Sequence, residues 1–389
     1  MQNKNILQAI IVQIKGKYMK RSFIREILEH TSNDTISFAG GLPDEKLFPM
    51  NELKSSAINI LKKSSTLQYT KSTGIDDLKE KIAQLYCEDR FPTKAENIMI
   101  TSGSQQALDI ISRYNHGKTI TIESPSYLGA LNVFNLNKVE QKSILLEKDG
   151  INLKAFKSSI KHSKFAYLIP DFQNPTGKTY SRKKRKKIAT IIKENNAILI
   201  EDSPYIELYF KNKMPSISTN LPKNSFHLGS FSKTLAPSLR IGWIRADETL
   251  LQPLIAYKEA MDLHTNGLSQ YILNDYLSDI NKYKKHLTTV RSEYKKQMLL
   301  FTKYLDKYLP SFIYIKPKGG MFVYGKLPNI DTSLLIQECI KHDIVFVPGI
   351  EFYSDGSVKD EIRFNFTRTN KRKIKKGLSK IADILETIK

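Results

Sequence analysis

Between about residues 75 and 245, short apolar runs alternate with stretches whose apolar residues recur at helical spacing. The runs "ENIMIT" (96–101), "KTITIE" (118–123), "FAYLIP" (165–170), "NAILIE" (196–201) and "FHLGSF" (226–231) are rich in isoleucine and other apolar residues. Near-continuous apolar runs of that length suit strands buried on both faces of a parallel sheet. Between them, "QQALDIISRY" (105–114) and "SRKKRKKIATIIKEN" (181–195) carry the period of amphipathic helices. The alternation predicts an α/β domain. Past about residue 270 the texture changes. A long helical pattern leads into "HLTTVRSEYKKQMLLFTKYL" (286–305), strand-like pieces follow at "FIYIK", "GGMFVYG" and "DIVFVPG", and "KRKIKKGLSKIADILETI" closes the chain as a helix. This part reads as a smaller α+β domain, and a helical segment near 20–30 precedes everything.

Composition changes this picture little. A chain of 389 residues with 40% hydrophobic and 26% charged residues is an ordinary globular protein with room for a large core. No apolar run approaches the length of a membrane span. The apolar patch at 6–14 has no basic region ahead of it and no small-residue cleavage site, so no secretory signal is expected. Cys87 and Cys339 alone make neither a disulfide framework nor a zinc site, and a cytoplasmic location without metal is the expectation. The net charge of +22 raises nucleic-acid binding. The lysines are nevertheless spread along the whole chain, and the densest run, at 181–196, reads as a helix with Ile188, Ile191 and Ile192 buried and its lysines solvated. No nucleic-acid or membrane partner is expected.

The chemistry sits where the apolar runs stop. "TSGSQQ" follows the first run, "SPSYLG" the second, "DFQNPTG" the third, "DSPY" the fourth and "SFSK" the fifth. In an open parallel sheet ligands bind at the C-terminal ends of the strands, so five such loops make a pocket. "TSGSQQALD" is a strand, a Gly/Ser turn and a helix start, which serves an anion as readily as it serves as a plain cap. Asp202, ending "NAILIED", is either a solvated loop-start carboxylate or a buried one that requires a cation, a metal or a protonated ring nitrogen.

Taken together, "DFQNPTG" (171–177), "EDSPY" (201–205) and "SFSKTLAPSLRIGW" (230–243) resemble the pyridoxal-phosphate-dependent aminotransferases of fold type I, class I/II. The branch resembled is that of 2-aminoadipate and aromatic aminotransferases and of MocR effector domains. "FIREILEHTSNDTISFAGGLPDEKLFP" (23–49), "LQYTKSTGIDDLKEKIA" (67–83), "KGGMFVYGKLP" (318–328), "VPGIEFY" (347–353) and "IRFNFT" (362–367) extend the resemblance over nearly the whole chain. It implies a large domain built on a mostly parallel seven-stranded sheet and a smaller α+β C-terminal domain. The expected boundaries are an N-terminal segment over 1–48, the cofactor domain over 49–275 and the small domain over 276–389.

The resemblance also assigns roles. Lys233 is the Schiff-base lysine and the general base for the substrate α-proton. Asp202 pairs with the pyridinium nitrogen, and Asn174 and Tyr205 hydrogen-bond the phenolic oxygen. Tyr127 lies against the ring face or, on its residue type alone, is a packing tyrosine. The phosphate meets Gly103, Ser104 and Gln105 at one helix start and Ser230, Ser232 and Arg240 on the lysine loop. Tyr69 reaches the phosphate of a neighbouring subunit, which implies a homodimer with shared active sites. Arg363 grips the substrate α-carboxylate, with Arg368 the competing choice. Gly40 and Gly41 let the chain pass close to substrate, and Arg25 stands where an acidic substrate side chain is met.

The implied reaction moves the amino group of an α-amino acid to a 2-oxo acid through pyridoxamine phosphate. The alternatives on the same scaffold are a lyase, a β- or γ-replacement enzyme or a cyclase. A ligand-sensing transcriptional regulator would need a winged-helix domain that some twenty leading residues do not supply. The sequence departs from the branch at Ser203, where a second acidic residue is usual. The loops at 20–48 and 261–269, which face the substrate, match no known specificity.

Overall fold

The computed structural model describes residues 34–388 together with Phe23, Ile27 and Ser32. Phe23 and Ile27 are helical and buried, and Arg25 lies outside the described residues. The strands in chain order are β1 (Ile36–Ser37), β2 (Ile98–Thr101), β3 (Thr119–Ser124), β4 (Glu140–Glu147), β5 (Gly150–Ile151), β6 (Phe165–Leu168) and β7 (Ile198–Asp202). They continue as β8 (Ser225–Ser230), β9 (Gly242–Arg245), β10 (Ile313–Tyr314), β11 (Phe322–Lys326), β12 (Ile344–Val345), β13 (Val347–Pro348) and β14 (Glu361–Asn365).

The central sheet is ordered β2-β9-β8-β7-β6-β3-β4-β5. The pairs β4/β3, β3/β6, β6/β7 and β7/β8 are parallel. Seven of its strands match the expected sheet, and β5 adds a two-residue hairpin partner at one edge. Because β3, β6, β7 and β8 run the same way, Glu123, Leu168, Asp202 and Ser230 all emerge on one side of the sheet. That is the side where an α/β sheet presents a ligand.

Strand β9 returns antiparallel to β8 and brings Trp243 opposite Gly229. A Cβ at Gly229 would lie 2.1 Å from the indole Cζ2, so only glycine lets this ring lie flat on β8. The indole N–H donates to the Tyr86 hydroxyl at 2.7 Å, which in turn meets Nδ1 of His227 at 2.6 Å. Burial pushes the His227 pKa down to about 3, so the imidazole stays neutral. Tyr86, His227 and Trp243 thereby form a hydrogen-bonded network that holds β9 against β8 ahead of the lysine loop.

The second sheet is antiparallel, ordered β10-β11-β14-β13, and β1 pairs with β12 beside it. The helices Ile280–Tyr308 and Lys371–Ile388 pack on each other. Phe38 lies edge-on to Phe301 and Phe364 at 5.4 and 6.0 Å, which ties the strand leading to Gly41 into this core. The backbone of Phe38 accepts from Asn365 N–H at 2.7 Å. The segment Ala39–Gly41 is therefore pinned where it crosses the cleft.

The helix Arg182–Glu194 corrects the expectation of a wholly solvated basic face. Ile188, Ile191 and Ile192 are buried as expected, but so are Lys184 and Arg185. Lys184 pairs with Glu147 and with Asp149, the latter at 3.0 Å. Arg185 pairs with Asp171 at 2.6 Å, both side chains being 2% exposed. Acidic residues brought from β4 and from the loop after β6 make these two cations buried ones. Among the described residues no helix is long and apolar enough to cross a membrane, and no metal-ligating cluster occurs.

Candidate active site

Asp202 ends β7 and is 2% exposed. Its Oδ2 accepts from the Tyr167 hydroxyl at 2.8 Å, whereas Oδ1 is buried without a hydrogen-bond partner. Burial raises its pKa to about 7, against which the Tyr167 bond works. A carboxylate so placed requires an N–H donor, preferably a charged one, on Oδ1.

Lys233 follows β8 on the next loop, and its Nζ donates to the Gly41 carbonyl at 2.8 Å. On the neighbouring loop Asn174 is buried; its Nδ2 donates to Tyr205 at 3.4 Å, and its Oδ1 accepts from Arg363 Nη1 at 2.7 Å. Arg363 is fully buried on β14, and its Nη2 also donates to the Ala39 carbonyl. Among the described residues no carboxylate pairs with it, and Nε has no hydrogen-bond partner. Burial lowers the guanidinium pKa to about 10, which leaves it charged at neutral pH.

Two aromatic rings frame the arginine. The guanidinium lies 4.3 Å from the Phe322 ring and 5.1 Å from that of Phe352. Phe322 also stands edge-on to Tyr205 at 5.8 Å. A Cβ at Gly41 would approach Phe322 to 3.2 Å and Lys233 Nζ to 3.9 Å. Gly41 thus keeps its segment close to the lysine, with buried Gly40 beside it.

A tight turn forms where β2 meets the helix Ser104–Tyr114. Gly103, at φ 82°, precedes the helix and offers its first turn no side-chain cap. A Cβ there would lie 2.6 Å from Arg240 Nη2. Arg240 is exposed and held beside the turn by a 2.8 Å bond from Nη2 to the Ser102 carbonyl. Half-buried Ser104 and exposed Gln105 start the helix, and Gln105 Oε1 accepts from the half-buried Tyr127 hydroxyl at 3.3 Å. Ser232 is buried on the same loop as Lys233, and its N–H donates to Ser230 Oγ at 3.1 Å. The Ser230 hydroxyl therefore shapes the loop itself.

The structure brings Lys233, Asn174, Tyr205, Arg363 and Gly41 into one contacting group, and Gly103, Gln105, Tyr127 and Arg240 into a second at the helix start. Tyr69 stands apart on the outer surface, 77% exposed, with its ring 5.6 Å from that of His264. Arg368 is paired outside, with Glu45. Sequence reasoning missed Tyr167, Phe322 and Phe352. Tyr167 carried a faint signal as the one hydroxyl-bearing residue of "FAYLIP".

A large, mostly parallel sheet, a smaller antiparallel one and a lysine on the loop after β8 define a fold type I pyridoxal-phosphate enzyme. The model of the family described as aminotransferase class I and II matches residues 34–381, and the chain belongs to that family. It is 36% identical to aromatic-amino-acid aminotransferase 1 of Thermococcus litoralis, over 96% of this chain and 93% of that protein. It is 32% identical to the 2-aminoadipate transaminase of Thermus thermophilus, covering 95% and 94%. The crystal structure of Pyrococcus horikoshii kynurenine aminotransferase superposes with a TM-score of 0.88 at 34% identity, covering 95% and 96% of the chains. The activity is that of a pyridoxal-phosphate-dependent aminotransferase acting on amino acids and 2-oxo acids. The residues fit the cofactor: Asp202 Oδ1 lacks a donor, and Gly103 leaves open a cup beside Arg240 that a side chain would fill.

Proposed function

We propose that Lys233, Asp202, Asn174, Tyr205 and Arg363 carry the transamination of an α-amino acid. The observation that supports this reading best is Arg363, a fully buried guanidinium with no carboxylate partner among the described residues, on the same asparagine that meets Tyr205. Its fork binds the two oxygens of the substrate α-carboxylate side by side. Pyridoxal phosphate supplies the carbonyl carbon that takes the amino group and the ring that holds the electron pair left by the α-proton. Asp202 Oδ1, buried without a donor, would accept from the ring N–H and hold that nitrogen protonated. Asn174 Nδ2 and the Tyr205 hydroxyl would donate to the phenolic oxygen. Lys233 Nζ, held in place by the Gly41 carbonyl, would be the base that moves the substrate α-proton. The first-turn N–H groups at Ser104 and Gln105, with Ser232 and Arg240, bind the phosphate. Phe322 and Phe352 exclude water around Arg363, which strengthens its grip.

The enzyme works as a homodimer with shared sites. Tyr69 lies on an outer surface with Leu67, Leu263 and Leu268, all exposed in the single chain. That surface crosses the helix Gly267–Tyr276 where it packs on Met50–Ile60, and exposed apolar residues so grouped mark an interface. Cys87 and Cys339 are both free, in keeping with a cytoplasmic enzyme. Aromatic amino acids and 2-aminoadipate, named in the relatives, are the first donors to test. Borohydride reduction of the holoenzyme followed by peptide mapping should place the cofactor on Lys233. Label on another lysine, or ammonia release without pyridoxamine phosphate across the amino-acid panel, refutes this reading.

A further inference from the structure

Beneath the cleft lies a carboxyl group that no step above uses. Glu123, near the end of β3, is fully buried. Its Oε1 accepts from the Tyr180 hydroxyl at 2.6 Å and from the Ile169 N–H at 3.2 Å. Its Oε2 accepts from Gln173 Nε2 at 3.1 Å. Burial pushes its pKa up to about 8, with Asp202 adding to the rise.

Gln173 is itself fully buried and fully used. Nε2 also donates to the Pro125 carbonyl at 2.9 Å, while Oε1 accepts from Thr176 N–H at 2.9 Å and Thr176 Oγ1 at 2.7 Å. Its backbone accepts from Gly177 N–H at 2.6 Å and donates to Lys178 O at 2.9 Å. Two acceptors on one side and two donors on the other permit a single orientation of this amide. Asn174 is the next residue. We propose that Glu123 is a positioning residue: through the Gln173 amide it fixes the turn that presents Asn174 to Tyr205 and Arg363. This rests on the role given to Asn174 above.

The chemistry of the three donors makes the proposal sharp. An ionised Glu123 accepts all three bonds. A protonated one keeps all three contacts, because its O–H donates to a Tyr180 hydroxyl that turns to accept while the Ile169 N–H and Gln173 Nε2 still donate to it. The isosteric amide cannot. In Glu123→Gln the new NH₂ faces either Gln173 Nε2 or the Ile169 N–H, donor against donor.

The test uses the holoenzyme and follows the pH titration of its visible absorbance, the split between kcat and KM, and thermal stability. Glu123→Gln should lower kcat by about 10- to 100-fold, because misplacement by an ångström or less has that effect. It should also move the absorbance titration by more than about half a pH unit. Gln173→Leu, which leaves the Tyr180 and Ile169 bonds intact, should reproduce both defects even if Glu123→Gln does not fold. A Glu123→Gln or Gln173→Leu enzyme with normal titration and kcat, whatever its melting temperature, overturns the proposal. Asn174→Ala separates the layers: if it too is silent, the role of Asn174 fails; if it alone is impaired, only the Glu123 inference fails.

Discussion

Arg185 and Arg363 are both fully buried, on opposite sides of the same loop, yet they are surrounded in opposite ways. Arg185 donates to Tyr180 O, Pro170 O, Pro215 O and both oxygens of Asp171. Every N–H group that could matter has an acceptor, and the charge has its counter-charge. Arg363 has one asparagine, one carbonyl and two aromatic faces. The carboxylates divide the same way, with Asp171 paired while Asp202 keeps an unmatched Oδ1. Burying a charge without its partner is costly, so a fold retains such a group where a ligand completes it. In this molecule incomplete satisfaction, more than burial, separates site from scaffold.

Substituting both arginines by methionine breaks that comparison most directly. Arg185→Met strands Asp171 in the core and should lower unfolding free energy by about 3–5 kcal/mol. The amino-acid KM of the folded enzyme should not move, because Arg185 lies outside the cleft. Arg363→Met removes a charge with no counter-charge and should leave the apoprotein as stable or more so. It should lower kcat/KM for the amino acid about 10²- to 10³-fold, the effect of two charge-assisted bonds to a carboxylate. Denaturant melts and half-reaction kinetics on both variants check this. Equal stability losses would remove the distinction.

Asp202 gives a pH-dependent form of the same contrast. Its folded pKa, about 7 without a partner, stands above the ordinary value of 3.8. A raised folded pKa contributes stability that is full below the unfolded value and is lost as pH rises through the folded one. The apoprotein should therefore lose up to about 4 kcal/mol between roughly pH 4 and pH 7 on account of this group. Asp202→Asn should flatten that part of the profile. Bound cofactor should flatten it too, because the ring N–H then pairs with the carboxylate. Glu123 carries a shift of the same sign, so its share remains in both cases. Melting temperatures of apo and holo forms across that range test the claim, and an Asn variant with an unchanged apo profile refutes it.

What the sequence showed and hid follows the same physics. The runs that became β2, β3, β6, β7 and β8 were legible because strands covered on both faces are apolar throughout. Strand β4, "EQKSILLE", was not, since most of its residues are exposed or half-buried and it alternates too weakly to stand out. The four-residue β9 was hidden behind the lysine loop. Site residues inside contiguous motifs could be found one loop at a time. Tyr167 on Asp202 and Phe322 on Arg363 could not, because each contact joins segments far apart in the chain. Lys184 and Arg185 misled for a related reason. A run of cations on a helix reads as a solvent face until the acids of other segments are brought to it.

The mildest test concerns Arg368, which lies just past β14, the strand of Arg363, and competes with it in the sequence pattern. Its Nε and Nη2 meet the Glu45 carboxylate at 2.7 and 3.0 Å, and both side chains are about half exposed. The bond to Arg368 holds the Glu45 carboxyl below its usual pKa. An exposed pair of this kind contributes between nothing and about 1 kcal/mol, because water screens it and two long side chains are immobilised to form it. Arg368→Ala should therefore change stability by less than about 1 kcal/mol and kcat/KM by less than about threefold. Being already matched, this arginine has no charge left for a substrate carboxylate. A KM increase as large as that of Arg363→Met would show that a satisfied surface arginine binds substrate here, and the rule drawn from Arg185 and Arg363 would fail at the mouth of the cleft.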